Sequence, residues 1–129
     1  MSIILIVEDN AEVAKLLELI LRRADYEVWV ADDGQEALQR FQTLQPDLVL
    51  LDIMLPHIDG YEVCRRIRQQ LHSDVPVIML SSLDSPLDIE RSREVGASDH
   101  VPKPFDKEYL LDIISRYRDN LSDGNRKVA

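Results

Sequence analysis

Residues 48–61 read LVLLDIMLPHIDGY, and this stretch decides the fold class. Leu48 to Leu51 are apolar without alternation, the pattern of a parallel strand covered on both faces. Asp52 follows without a break. An ionised aspartate is almost never fully buried unless it is paired or the chain is about to reach water, so the strand ends at Asp52, where the chain brings a carboxylate to the edge of its core.

Outward from there, apolar runs recur at Ile3 to Val7 and Val75 to Leu80. Val28 to Val30 is shorter and flanked by charge, which places it at a sheet edge, and a last short strand is predicted near His100 and Val101. Between these runs the spacing is helical: Val13, Leu16, Leu17, Ile20 and Leu21; Ala37, Leu38, Phe41 and Leu44; Val63, Ile67 and Leu71; Leu110, Ile113, Ile114 and Tyr117. Asp33 followed by Glu36 resembles a capping box, Ser85 with Pro86 supplies a cap and a first-turn proline, and Gly96 is placed to end the helix over Glu90 to Val95. The order βαβαβαβαβα predicts an α/β fold, a doubly wound five-stranded parallel sheet with helices on both faces. After Leu121 the string SDGNRKVA loses its periodicity. Residues 1–121 are therefore expected to form one domain and 122–129 a flexible tail or the start of a linker.

Composition narrows the function classes. At 45% hydrophobic and 30% charged, the 129 residues suit one soluble globular domain, and no apolar run approaches the roughly 18 residues of a membrane span. The opening MSIILIVEDN has no basic residue before its five apolar ones, so it reads as a strand and not a signal peptide. Cys64, the single cysteine, cannot form an internal disulfide; a reducing, cytoplasmic location is expected. A net charge of -9 disfavours direct binding of this domain to nucleic acid or an anionic membrane.

In a doubly wound sheet, ligands sit outside the carboxyl ends of the strands. Those ends carry Glu8 and Asp9, Asp52, Ser81 and Ser82, and Lys103. Clustered carboxylates need a counterion, and hard oxygen donors without Cys or His point to magnesium. Magnesium and a lysine facing a carboxylate are the parts that phosphoryl transfer uses. Asp52 could then serve as the nucleophile, with the Ser81 hydroxyl donating to a phosphoryl oxygen.

The motifs VEDN at 7–10, LLDIMLPHIDGYE at 50–62, PVIMLSS at 76–82 and GASDHVPKPF at 96–105 together resemble the receiver domain of two-component response regulators, with the chemotaxis response regulator as the fold's type. The resemblance covers about residues 3 to 120. It implies strand order 2-1-3-4-5, Asp52 as phosphoacceptor, Mg2+ held by Glu8, Asp9, Asp52 and the backbone carbonyl of Met54, Ser81 as switch hydroxyl, Lys103 paired with the phosphoryl group, and a cis peptide between Lys103 and Pro104. It implies a sensor histidine kinase or histidine phosphotransfer protein as donor. Output would pass through the fourth helix, fifth strand and fifth helix to an effector domain, a target protein or a second copy in a phosphorylation-dependent homodimer. Such a domain is a switch that catalyses only its own phosphorylation and slow loss of the group. Met54 and Leu83 are placed beside the phosphoryl group, and neither can hold a water for hydrolysis. His100 stands where the family often has Tyr or Phe as its switch aromatic, and Ser82 where it commonly has Ala or Gly.

Two rivals share parts of this pattern. A flavodoxin-like electron carrier needs small hydroxyl and glycine residues after the first strand, where this chain has Glu8 and Asp9; a haloacid dehalogenase-like phosphatase needs a second aspartate at the position of Met54. Within the resembled family, a stand-alone shuttle and the N-terminal receiver of a longer transcriptional regulator both remain open. Elsewhere the expectations are structural: Cys64 in the core, His57 and His72 in solvent, Arg65, Arg66 and Arg68 on the wet face of a helix, and Trp29 as packing.

Overall fold

The structure, a computed structural model, describes residues 2–82 and 85–128, with side chains as far as Arg118. Ten elements alternate: β1 (Ile3–Val7), α1 (Ala11–Arg23), β2 (Glu27–Ala31), α2 (Gly34–Leu44), β3 (Leu48–Asp52), α3 (Gly60–Gln69), β4 (Val77–Ser81), α4 (Pro86–Glu94), β5 (Asp99–Pro102) and α5 (Lys107–Val128). The strands are parallel in the order β2-β1-β3-β4-β5, so β2 is indeed an edge and the order reverses between β1 and β3. The crevice of such a sheet opens at that reversal.

Strand alternation sorts the core into two layers. Ile4, Ile6, Leu50 and Leu80 pack against Leu17 and Leu21 of α1 and Ile113 and Ile114 of α5. Leu5, Val7, Leu51 and Met79 face the other way, against Phe41 of α2 and Val63 and Ile67 of α3. Each such side chain contributes roughly 1.5–3 kcal/mol of burial, which anchors α1, α2, α3 and α5 firmly. Helix α4 differs. Its one buried residue is Ser92, whereas Leu87 is 78% exposed.

Local chemistry sets the helix ends. Asn10 accepts from Glu12 and Val13 N–H, Asp33 and Asp59 each accept from the amide three residues on, and Ser85 does the same ahead of Pro86. The capping box at Asp33 is only half made, because the Glu36 carboxylate reaches the Asp32 N–H instead. Gly96 ends the α4 segment at φ +94, a conformation that favours glycine.

Several side chains depart from the sequence expectation. Leu16 lies outside the buried stripe of α1 and is 48% exposed, because the helix turns it toward Pro104 and Phe105 at the rim of the sheet. Arg68 is not a wet-face residue. Its guanidinium donates to the carbonyls of Gly96, Ser73 and Val75, satisfying the backbone where α3 and α4 run into their following strands. Trp29 is half exposed on β2, with its indole N–H on Glu27 and Arg40 over its ring, so its packing is on the surface. Cys64 is fully buried, while His57 and His72 are exposed. Helix α5 runs on to Val128, past Leu121, where the apolar spacing ends.

Candidate functional site

Glu8 leaves the end of β1 with only 1% of its surface exposed, fixed by its N–H on the Ala31 carbonyl and by an Asn10 N–H on its Oε2. Asp9 beside it is exposed. Asp52, 5% exposed, closes β3, and its Oδ1 accepts from Met54 N–H at 3.2 Å. One carboxylate oxygen from each of Glu8, Asp9 and Asp52 lies within 4.8 Å of the others. The loop beyond Asp52 is held by Gly60 N–H on the Ile53 carbonyl, which brings α3 directly against the end of β3. A Cβ on Gly60 would lie 2.3 Å from the Asp52 carbonyl oxygen.

Lys103 enters from the end of β5. Its backbone N–H donates to the Ser81 carbonyl at 2.9 Å, and its Nζ donates to Glu8 Oε1 at 2.5 Å while standing 3.3 Å from Asp52 Oδ2. Burial alone would lower the Lys103 pKa; the hydrogen bond to Glu8 and the charges of Asp52 and Glu8 outweigh it and hold the ammonium above its ordinary value. The amine therefore stays charged, but three carboxylates against one ammonium still leave formal negative charge in a crevice of low exposure. An all-oxygen donor set of this kind, with two buried carboxylates and one open to water, fits a hard divalent cation that keeps part of its hydration shell.

Ser81, 1% exposed, closes β4 next to Lys103, and Ser82 is exposed beyond it. The Lys103–Pro104 peptide is cis. Met54 projects its side chain to solvent at 61% exposure. His100 lies farther back on β5, opposite Met79, with its Nε2 buried. Thus Glu8, Asp9, Asp52 and Lys103 meet directly and Ser81 borders them, whereas His100 belongs to the α4 side of the sheet. Leu83 lies outside the described residues.

The sequence reading missed Tyr61. It is 4% exposed, directly after Gly60, and its hydroxyl donates to the Asp88 carbonyl at 3.4 Å while the Arg91 guanidinium stacks 4.2 Å from its ring centre. Burial and the Asp88 charge raise its pKa, so it remains a donor. A large aromatic next to a helix-opening glycine was the available signal. Nothing in the sequence marked its partners on α4.

The geometry leads to a definite relationship. A family model described as the response regulator receiver domain matches residues 4–115. The chain belongs to that family. Over 107 residues it is 48% identical to a probable transcriptional regulator, ycf27, of Guillardia theta, an alignment covering 83% of this chain and 41% of that protein. It is 44% identical over 102 residues to the alkaline phosphatase synthesis transcriptional regulatory protein PhoP of Bacillus subtilis, covering 79% of this chain and 42% of that one. The chain thus spans less than half the length of these curated relatives. Among solved structures, the beryllofluoride-activated N-terminal receiver domain of Klebsiella pneumoniae RstA superposes with a TM-score of 0.84 at 39% identity, covering 90% of this chain and 97% of that one. The chemotaxis protein CheY4 of Vibrio cholerae superposes at 0.86 with 32% identity, covering 91% and 98%. The receiver domain is a signalling module of two-component systems. Membership removes the flavodoxin-like and dehalogenase-like alternatives, and no helix among the described residues is long and apolar enough to cross a membrane.

Proposed function

We propose that this receiver domain is switched by transfer of a phosphoryl group to Asp52 from a sensor histidine kinase or a histidine phosphotransfer protein. The observation that carries this is the cluster of Glu8, Asp9 and Asp52 oxygens within 4.8 Å, beside Lys103. Glu8, Asp9 and Asp52, with the Met54 carbonyl, would hold Mg2+. Bound there, magnesium supplies positive charge that offsets the charge on phosphoryl oxygens. An Asp52 carboxylate oxygen forms the bond to phosphorus as the donor's phosphorus–nitrogen bond breaks, and the electron pair leaves with the imidazole. Lys103 moves from Glu8 onto a phosphoryl oxygen, and the Ser81 hydroxyl donates to another. The protein's own chemistry stops at this transfer and its slow reversal by water.

Output passes through α4, β5 and α5, because α4 is the helix least anchored by apolar burial. The higher identity to two transcriptional regulators than to a chemotaxis protein favours a receiver that controls an effector domain over a stand-alone shuttle. Residues 1–121 then form the switch and 122–129 lead toward the effector, with the α4-β5-α5 face pairing two phosphorylated copies in a cytoplasmic regulator. The test is intact-protein mass spectrometry after incubation with acetyl phosphate and magnesium. The parent should gain one phosphoryl group and Asp52→Asn none; undiminished labelling of Asp52→Asn sinks the assignment.

A further inference from the structure

Two buried polar atoms among the described residues have no protein hydrogen-bond partner, Ser92 Oγ and His100 Nε2. They are not scattered. Both residues line one cavity of about 160 Å³ between α4 and β5, together with Ile89, Arg93, Ser98 and Asp99. Ser92 is 3% exposed and is the one buried residue of α4. The Tyr61 hydroxyl is within side-chain hydrogen-bonding reach of it, an interaction that favours the ionised form of Tyr61, but the well-formed bond of Tyr61 goes to the Asp88 carbonyl and leaves Ser92 Oγ without one. His100 is held at its backbone, with its N–H on Asp99 Oδ1, while Asp99 Oδ2 takes the Tyr117 hydroxyl; neither carboxylate oxygen turns to the ring nitrogen.

Buried polar groups are nearly always paired, and leaving one unmade costs more than making it gains. Two orphans in the lining of one cavity, a hydroxyl on α4 and an imidazole nitrogen on β5, are complementary. The cavity has room for water to solvate both, which makes the unpaired state tolerable. A modest movement of α4 toward β5 would replace that water with a direct bond. The helix is free to make it, since no buried apolar side chain of α4 resists. His100 and Ser81 also lie on the same sheet face, because residues opposite Met79 and two beyond it alternate together.

We propose that Ser92 and His100 form the joint by which α4 locks onto β5: unpaired in the arrangement seen here, and joined in the activated state by the Ser92 hydroxyl donating to neutral His100 Nε2. Ser92 is thus a positioning residue on α4, and the His100 imidazole supplies the acceptor nitrogen that the joint needs. This rests on the phosphorylation switch at Asp52 proposed above.

The test is ¹⁵N spectroscopy of the histidine rings with and without beryllofluoride and magnesium, at about pH 8 so that imidazoles are neutral. Exposed His57 and His72 serve as internal references. In the parent, the His100 Nε2 signal should move toward a hydrogen-bonded value on activation while the references stay. In Ser92→Ala that movement should vanish, although amides at 52–54 still report beryllofluoride binding, with affinity weaker by about five- to tenfold, the worth of one net hydrogen bond. Without beryllofluoride, Ser92→Ala should melt close to the parent, because it removes a hydroxyl that makes no well-formed bond there. His100→Phe should weaken affinity similarly, and the double variant no further. A His100 ring signal unchanged on activation while amides 52–54 respond, or a Ser92→Ala response equal to the parent's, overturns the joint alone. Silent amides at 52–54 in the parent overturn the Asp52 assignment and the joint with it.

Discussion

Gly60→Ala is expected to damage both stability and the site, for a reason that can be worked from distances. The added Cβ would stand 2.3 Å from the Asp52 carbonyl oxygen and 2.7 Å from Ile53 Cα, both backbone atoms that cannot rotate away. Restoring ordinary contact means separating α3 from the end of β3 by roughly 1 Å. Overpacking of this kind typically costs 1–3 kcal/mol, and at about 3 °C per kcal/mol the melting temperature should fall by about 3–9 °C. A displacement of ~1 Å at a reacting group can cost on the order of 100-fold in rate, so phosphorylation by acetyl phosphate should slow far more than the fraction unfolded explains. Gly96→Ala is the control. Its strain comes from φ +94 and from a flexible Arg68 side chain 2.9 Å away, remote from Asp52, so it should cost about 1–2 kcal/mol and leave the labelling rate intact. Circular-dichroism melts and time-resolved mass spectrometry measure the two effects. Equal losses of labelling rate in both variants, or a Gly60→Ala protein that melts and reacts like the parent, would refute the claim that the α3 contact positions Asp52.

Two further outcomes are expected. Met54→Asn combined with Leu83→Glu should speed loss of the phosphoryl group by about tenfold if a positioned water contributes ~1.4 kcal/mol, and a decay equal to the parent's at saturating magnesium counts against it. Glu62 accepts hydrogen bonds from Arg65 and Arg66, which hold its carboxyl down to about 2. A depressed folded pKa stabilises above the unfolded value near 4.5 and is lost as pH falls from there toward about 2. With a third of the side chain in solvent, Glu62→Gln should cost under about 1 kcal/mol at pH 7 and progressively less toward pH 3; a deficit in urea midpoint that grows on acidification contradicts this.

What could be read in the sequence follows from what is periodic. Unbroken apolar runs identified β1, β3 and β4 because burial on both faces leaves no other solution, and the polar residues at their ends, Glu8, Asp9, Asp52 and Ser81, with Lys103 after the short β5, are the ones the fold brings to one crevice. What escaped is contact between segments far apart in the chain. Arg68 looks like any helical arginine until the carbonyls of Ser73, Val75 and Gly96 are seen to converge on it. Ser92 carries no pattern at all, since α4 has almost no apolar stripe against which a buried serine could stand out. The resting partner of Lys103 escaped for the same reason: its choice of Glu8 over Asp52 depends on side-chain reach across the crevice.

That choice has mechanical weight. Lys103 is tied twice, through its backbone N–H to the Ser81 carbonyl and through its ammonium to Glu8, so it couples the ends of β4 and β5 to the end of β1. Charge-assisted bonds of this type contribute roughly 1.5–3 kcal/mol each. On the proposed function, a phosphoryl group on Asp52 would compete for the ammonium with oxygens that carry more charge than Glu8 does, and a cation at Glu8 would remove the reason to stay. The new pull would act on Ser81 and Lys103 together, at the two strand ends that flank α4. With α1, α2, α3 and α5 each held by several buried apolar side chains and α4 by none, the cheapest response of the fold is to move α4. The sequence places its weakest packing where the charge change is felt.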